Sequence, residues 1–292
     1  MIVVTTPTGN IGSKLLPLLL AAGESVRVIA RDPSKLSAAV QGKVEIVQGS
    51  PDDPAVVDRA FRGASSVFWL VPPSFRAADV REYYLGFTRP AAEAIKTHGV
   101  ERVVSVSSLG RHLGMKAGVV SVAHAMEDLI ESTGVSHRGL WNPGFMENML
   151  MHLSTLKQQG TFYLPLEPDL KIPHAATRDI ASSAARLLLD RSWTGKGGLA
   201  VLGPEDLSAN DQAAIMTEVL GRPIRFQSVP GAAYRQSLLE HGAGVAIADG
   251  LTEMHAAIDE GLYAHEPRTA ETRTQTTFRL WCEEVLKPAF LG

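Results

Sequence analysis

The residues with the clearest chemical potential stand at the start of the chain. Ile2, Val3 and Val4 are consecutive β-formers that run into Thr5-Thr6-Pro7-Thr8-Gly9-Asn10-Ile11-Gly12, after which Leu15, Leu16 and Leu19 return at helical spacing. A strand, a glycine-bearing turn and a helix in that order bring backbone N–H groups and the positive end of a helix dipole to one point, where a pyrophosphate can bind. Gly9 allows the backbone to approach phosphate closely, and Gly12 allows the helix to pack closely on the strand. Thr6 occupies the place where a further glycine is usual, and its hydroxyl can donate to the same phosphate. Thr6, Thr8, Gly9, Asn10, Ile11 and Gly12 are therefore candidate dinucleotide-binding residues. The competing reading is a packing turn that holds no ligand.

A second group follows the β-forming run 25–30. Arg31-Asp32-Pro33-Ser34-Lys35 falls where the adenosine ribose lies on a doubly wound sheet. Arginine there suits the 2′-phosphate of NADP through a bidentate contact, whereas an acid suits the free hydroxyls of NAD. Arg31 thus favours NADPH over NADH. Lys35 offers a second charge, although by itself it reads as solvated surface, and Asp32 argues the other way.

A third group gathers around a later strand, 102–106, which gives way to Ser107-Ser108-Leu109-Gly110. A serine hydroxyl beside a nicotinamide can hold a substrate carbonyl, and it can equally well do no more than turn the strand end. On the following helix, His124 and Glu127 stand at i and i+3 and share a face. His124 can take up or release a proton near neutral pH, although a lone helical histidine is more often structural. Ser107, Ser108 and His124 are the catalytic candidates. The remaining histidines show no H-E-x-x-H spacing, so no metal site is expected. The absence of a G-x-S-x-G elbow removes the usual serine hydrolase.

Positioning these groups requires alternating strands and helices. Strands are expected at 2–4, 25–30, 44–48, 66–71, 102–106 and 136–141, with helices between them; the long one, 77–97, is interrupted or capped near Pro90. Six alternations with short turns predict an α/β fold, a doubly wound parallel sheet of Rossmann type with right-handed crossovers. Ligands on such a sheet bind beyond the carboxyl ends of the strands. That rule adds Gly49 and Ser50, Val71 and Pro72, Ser107, and Pro143, Gly144 and Phe145 to the cofactor candidates. Phe68, Trp69, Phe75, Tyr83, Tyr84, Trp141 and Phe145 supply apolar material for a pocket. After 148 the rhythm breaks into a helix at 149–157, a strand-like 161–164, an apolar helix from 177 to 189, a strand at 198–202 and another at 224–229. The expected division is a dinucleotide-binding domain, 1–148 completed by 175–204, and a smaller helix-rich substrate domain made of 149–174 and 205–292.

Composition narrows the function classes. The chain has 292 residues and a formal net charge of −3, and no Lys/Arg run offers a face to nucleic acid. One cysteine, Cys282, excludes an intrachain disulfide and fits a reducing compartment. No apolar run reaches membrane-spanning length, and the first strand begins at once, so no signal peptide is expected. A cytoplasmic protein with a small-molecule partner is the expectation, and a homodimer is compatible with it.

The motifs taken together resemble the NmrA-like group of atypical short-chain dehydrogenase/reductases. The resemblance rests on Thr8-Gly9-Asn10-Ile11-Gly12, Arg31-Asp32-Pro33-Ser34-Lys35, Ser105-Val106-Ser107-Ser108-Leu109-Gly110, Asn142-Pro143-Gly144-Phe145-Met146-Glu147-Asn148, Arg178-Asp179-Ile180-Ala181 and Leu202-Gly203-Pro204-Glu205. It implies a Rossmann-type domain for NADP(H) or NAD(H) with a small C-terminal substrate domain. It also implies either a reductase of quinones, enones or other electron-poor carbonyls, or a dinucleotide-binding redox sensor that acts through a protein partner. The wider superfamily uses a Tyr-x-x-x-Lys pair as its acid. The corresponding helix here, 117–127, has neither residue, and Asn142 replaces the arginine common before the Pro-Gly pair.

Overall fold

The structure, a computed structural model, describes residues 1–292. The first half of the chain alternates as expected except between β2 and β3, which are joined by the 3₁₀ turn Pro33–Lys35 and no α-helix: β1 (Ile2–Val4), α1 (Gly12–Ala21), β2 (Val26–Ala30), β3 (Glu45–Gln48), α2 (Pro54–Phe61), β4 (Ser66–Trp69), α3 (Val80–His98), β5 (Arg102–Ser108), α4 (Val119–Glu131) and β6 (Ser136–Asn142). The second half contributes β7 (Gly144–Phe145), α5 (Leu153–Gln159), β8 (Thr161–Leu164), β9 (Ile172–Ala175), α6 (Thr177–Leu189), β10 (Lys196–Ala200), β11 (Asp206–Leu207), α7 (Ala209–Leu220), β12 (Arg225–Ser228), α8 (Gly231–Glu240), α9 (Val245–Asp259), α10 (Phe278–Trp281) and α11 (Lys287–Leu291).

Seven strands form one parallel sheet in the order β10-β6-β5-β4-β1-β2-β3. β1 and β4 are buried along their whole length, as strands covered on both faces must be. One face packs Leu15, Leu16, Ile180 and Ala184 of α1 and α6 against Val4, Val28 and Phe68. The other packs Val57, Phe61, Ile95 and Met126 of α2, α3 and α4 against Val3, Trp69 and Val103. Strand order reverses between β1 and β4, and the crevice of such a sheet opens at that reversal. Phe68 and Trp69 are spent in these two cores, at 0% and 1% exposure, and not in a substrate pocket open to solvent.

Pro90 does not interrupt α3, which runs unbroken through it. The turn its ring crowds belongs to Gly86, which adds no side chain to the conflict. The expected helix at 149–157 is a tight 3₁₀ run, Met146–His152, followed by α5. Two small sheets, β11-β9-β7 and β12-β8, hold the C-terminal region together, around Phe162, Met216, Phe278 and Trp281. β7, β9 and β11 were not expected. β9 reads Ile-Pro-His-Ala and β11 has two residues, and neither is long enough to show the period-two alternation that marks a strand. No helix is long and apolar enough to cross a membrane.

Candidate functional site

At the end of β1 the Thr5 hydroxyl donates to the Phe68 carbonyl at 3.0 Å and accepts from the Leu70 N–H at 3.0 Å, which fixes β1 against β4. The next residue, Thr6, has φ +50, the one non-glycine residue with positive φ. Its hydroxyl oxygen is buried without a partner, and its carbonyl accepts from the Gly9 N–H at 3.1 Å. A Cβ on Gly12 would collide with that carbonyl oxygen, so the helix can start this close to the strand only with glycine there. Thr8, Gly9 and Asn10 are exposed, while Ile11 and Gly12 are buried beneath them. The turn thus offers exposed backbone at the start of α1 and one unsatisfied hydroxyl, a donor set that fits a phosphate group.

Beyond β2, Arg31 is exposed, and none of the molecule's hydrogen bonds or ion pairs engages its side chain. Asp32 is committed: its carboxylate accepts from the Ser34 N–H at 3.1 Å and the Ser34 hydroxyl at 2.6 Å, capping the short 3₁₀ turn Pro33–Lys35. Those bonds hold its pKa below the usual carboxylate range. Lys35 lies 4.0 Å from Asp32, in solvent. At the same end of the sheet the Gly49 N–H binds the Ala30 carbonyl at 3.1 Å, with half-buried Ser50 beside it. Val71 is buried, and the Pro72 carbonyl accepts from the Tyr83 hydroxyl at 2.9 Å. These groups, with Pro143, Gly144 and Phe145 after β6, share one edge.

The ends of β5 and β6 are organised differently. Ser107 Oγ donates to Glu127 Oε2 at 2.7 Å, and Trp141 Nε1 donates to Glu127 Oε1 at 3.2 Å. Arg111 reaches the same carboxylate at 3.1 Å, the His124 carbonyl at 3.0 Å, Asp128 at 2.7 Å and Glu131 at 3.1 Å. Glu131 accepts from His137 Nδ1 at 3.0 Å, and His137 Nε2 meets Ser105 Oγ at 2.8 Å. The hydrogen bond from His137 is the main cause of the lowered Glu131 pKa, with the Arg111 charge adding to it. Gly139 and Gly198 make the arrangement possible, because a Cβ at either would strike Glu127 or the Trp141 ring.

This network revises the part expected of Ser107. Its single hydroxyl proton goes to Glu127, so only its lone pairs remain to accept, and it is not placed to donate to a carbonyl. Ser108 Oγ donates to the Asn142 carbonyl at 3.2 Å, and Asn142 Nδ2 returns to the Ser107 and Leu140 carbonyls at 3.1 and 2.7 Å. Where an arginine is common, an amide therefore staples β5 to β6. His124 Nε2 is 3.0 Å from the Ser108 carbonyl. A carbonyl only accepts, so Nε2 carries the proton and Nδ1 is left without a protein partner. The tyrosine in contact with Ser108 is Tyr263, from the C-terminal region, and burial pushes its pKa up. Neither Tyr263 nor the partners of Ser107 could be read from the amino-acid order, except that Glu127 left a signal in its i+3 spacing from His124.

In the C-terminal region a cavity of about 450 Å³ lies between the β12–α8 connection and α9, lined by Leu166, Ser228, Pro230, Thr252, Ala256 and Asp259. Nearby, the Phe162 and Phe226 rings pack at 5.1 Å and Tyr234 meets His255 at 5.0 Å. Burial lowers the His255 pKa and takes that of His152 down to about 4.

The model of the NmrA-like family matches residues 1–281. The chain belongs to that family. This NmrA-like protein is 30% identical over 240 residues to a (4-alkanoyl-5-oxo-2,5-dihydrofuran-3-yl)methyl phosphate reductase of Streptomyces griseus, a match covering 82% of this chain and 80% of the relative. It is 25% identical over 256 residues to an NAD(P)H azoreductase of Xenophilus azovorans, covering 88% and 86%. Among solved structures it resembles the NADPH complex of an NADPH-dependent quinone oxidoreductase from Escherichia coli. That match has a TM-score of 0.80 at 21% identity and covers 96% of this NmrA-like chain and 97% of the other. At that identity the likeness speaks for the fold.

Proposed function

We propose that this protein is an NAD(P)H-dependent reductase of electron-poor small molecules such as quinones, enones or related carbonyl compounds, with NADPH as the preferred donor. The cofactor reading is supported by the fit of the β1–α1 turn to a phosphate, by the unpaired Arg31 guanidinium, and by the commitment of Asp32 to its own turn. Thr6, Thr8, Gly9, Asn10, Ile11 and Gly12 would face the pyrophosphate, with Arg31 and Lys35 toward the 2′-phosphate. Gly49, Ser50, Val71, Pro72, Pro143, Gly144 and Phe145 would line the rest of the dinucleotide site. When bound, the dinucleotide supplies the hydride, and 149–174 with 205–292 would form the substrate side.

The observation that carries the substrate class is the use of the polar groups beside β5 and β6 as scaffold. Ser107, Glu127 and Arg111 bond one another, Asn142 gives its amide hydrogens to the Ser107 and Leu140 carbonyls while its Oδ1 is buried without a partner, and α4 holds neither tyrosine nor lysine. Acceptors whose reduced anion is resonance-stabilised need little protein acid, and water can protonate them. His124, with Nε2 held by the Ser108 carbonyl, would exchange a proton through Nδ1. Ser108 would act through its carbonyl, orienting that ring.

The test is NADPH oxidation, followed by nicotinamide absorbance, against a panel of quinones, enones and simple ketones. Turnover of quinones or enones and not of ketones is expected. Tight NADPH binding with no turnover on any acceptor would instead favour a redox sensor acting through a protein partner, the reading that the missing acid supports. For His124, unchanged steady-state rates of His124→Ala across pH would remove its role.

A further inference from the structure

We propose that Lys14, Thr177 and Glu147 form a strut joining the two ends of the dinucleotide site, so that the pyrophosphate turn and the nicotinamide-side loop are positioned together. The proposal rests on the reading of the crevice as an NADPH site. Lys14, in the first turn of α1, donates from Nζ to the Asn10 carbonyl of the turn at 2.7 Å and to the Thr177 hydroxyl at 3.0 Å. That hydroxyl donates in turn to Glu147 Oε1, and the Thr177 N–H donates to Glu147 Oε2 at 3.0 Å. Glu147 stands three residues beyond Gly144, on the segment leaving β6. An unbroken line of hydrogen bonds therefore runs from the exposed turn, through the start of α6, to the loop on the opposite side of the crevice.

Each member is held where it stands. Thr177 is fully buried and Glu147 is 9% exposed. The carboxylate sits against the N-terminus of α6, where the helix dipole favours it. The Lys14 ammonium is partly desolvated, which lowers its pKa, while the Glu147 charge opposes that shift. The turn does not need Lys14 for its own shape, because Thr5 anchors it to β4 and the Thr6 carbonyl closes it through Gly9. What Lys14 adds is a tie between the turn and the 143–147 loop, and a tie between two half-sites is a coupling free energy. Lys14, Thr177 and Glu147 are positioning residues; their contacts are with protein groups.

The experiment compares two ligands on the same variants by calorimetry. 2′-Phospho-ADP-ribose fills only the pyrophosphate and adenosine end, and NADPH fills both. In Lys14→Met and Thr177→Val, NADPH should weaken about tenfold, the loss of one charge-assisted hydrogen bond, while 2′-phospho-ADP-ribose keeps its affinity within a factor of about two. Thr177→Val retains the backbone donor to Glu147 and so cuts the strut with the least disturbance of α6, and Lys14→Arg should restore most of the NADPH affinity. Equal weakening of the two ligands would reduce Lys14 to local support of the turn and overturn the strut, as would no change in either. Failure of the unmodified protein to bind either ligand would fell the NADPH reading itself, a different outcome from the loss of the difference between ligands.

Discussion

The turn between β1 and α1 and the ends of β5 and β6 lie along one edge of one sheet, and they treat their polar groups in opposite ways. The turn exposes its backbone, leaves the Thr6 hydroxyl without a partner and is followed across β2 by an unpaired Arg31. The other region spends its polar side chains on each other, from Ser105 through His137, Glu131, Arg111 and Glu127 to Ser107 and Trp141. An exposed turn with free backbone can take a ligand, whereas a network of paired side chains acts as support, and Asn142 Oδ1 is the one atom at the β5–β6 end left buried without a partner. Under the proposed function the first region is the one kept for the dinucleotide, and the second is the support behind it.

The largest effect should come from opening the closed network. Glu127 is 1% exposed at its side chain and Glu131 16%, so Arg111→Met leaves two partly or fully buried carboxylates without their cation. Removing one partner from such a site costs about 3–5 kcal/mol. Urea unfolding should show that loss, while NADPH affinity of the still-folded protein changes only a few-fold. A large fall in affinity with unchanged stability would reverse the contrast between the two regions.

Acid should destabilise the fold through the strand that pairs with β7. His174, on the strand that pairs with Gly144–Phe145, is pushed down to about 4 by burial, and its Nε2 meets Gln212 at 2.7 Å. Its folded pKa lies below its unfolded one, so the unfolded chain takes the proton first. The contribution is complete above about pH 6.5 and is lost as pH falls toward 4, roughly 3 kcal/mol at the acid end. The urea midpoint of the unmodified protein should fall through that window, and that of His174→Gln should fall less. Parallel pH curves for the two proteins would discard the assignment.

The same contrast explains what could be read from the amino-acid order. The fold was legible because β1 and β4 are short, largely apolar runs and the other strands are β-forming stretches separated by turn signals, and burial on both faces writes such strands directly into composition. The glycine turn between β1 and α1 was legible for a similar reason, since backbone geometry demands glycine at 12. The network was not. Arg111, Glu127, Glu131 and His137 come from a loop, one helix and one strand, and nothing in their spacing announces that they meet. Ser107 was noticed for its place at the end of β5, but its hydroxyl is directed at Glu127, a fact fixed by tertiary packing. β7, β9 and β11 were missed because their stability comes from neighbours and not from their own few residues.

Arg31 sharpens the comparison from the open side. Because Asp32 is tied to Ser34, the Arg31 guanidinium stands alone beside the expected ribose. Arg31→Asp should weaken NADPH by about tenfold or more, the worth of one or two charge-assisted contacts, and leave NADH almost unchanged. Stability should move by no more than about 0.5 kcal/mol, as at other exposed positions. Equal affinities for both cofactors, before and after the change, would remove the basis for the NADP preference.

Thr6 offers the smallest effect and the finest discrimination. A β-branched residue at φ +50 stores about 1–3 kcal/mol of backbone strain, and its buried, unpaired hydroxyl adds to the cost. Thr6→Gly relieves both, while the unfolded chain gains about 0.4–1 kcal/mol of entropy, so the net stabilisation should be about 1 kcal/mol. If Thr6 is retained for its donor, the same change should weaken NADPH several-fold. Thermal melting and NADPH titration of this one variant then move in opposite directions. A higher melting temperature with unaltered affinity would mean that the chain tolerates the strain for no ligand, and the unpaired hydroxyl would lose its meaning as a phosphate contact.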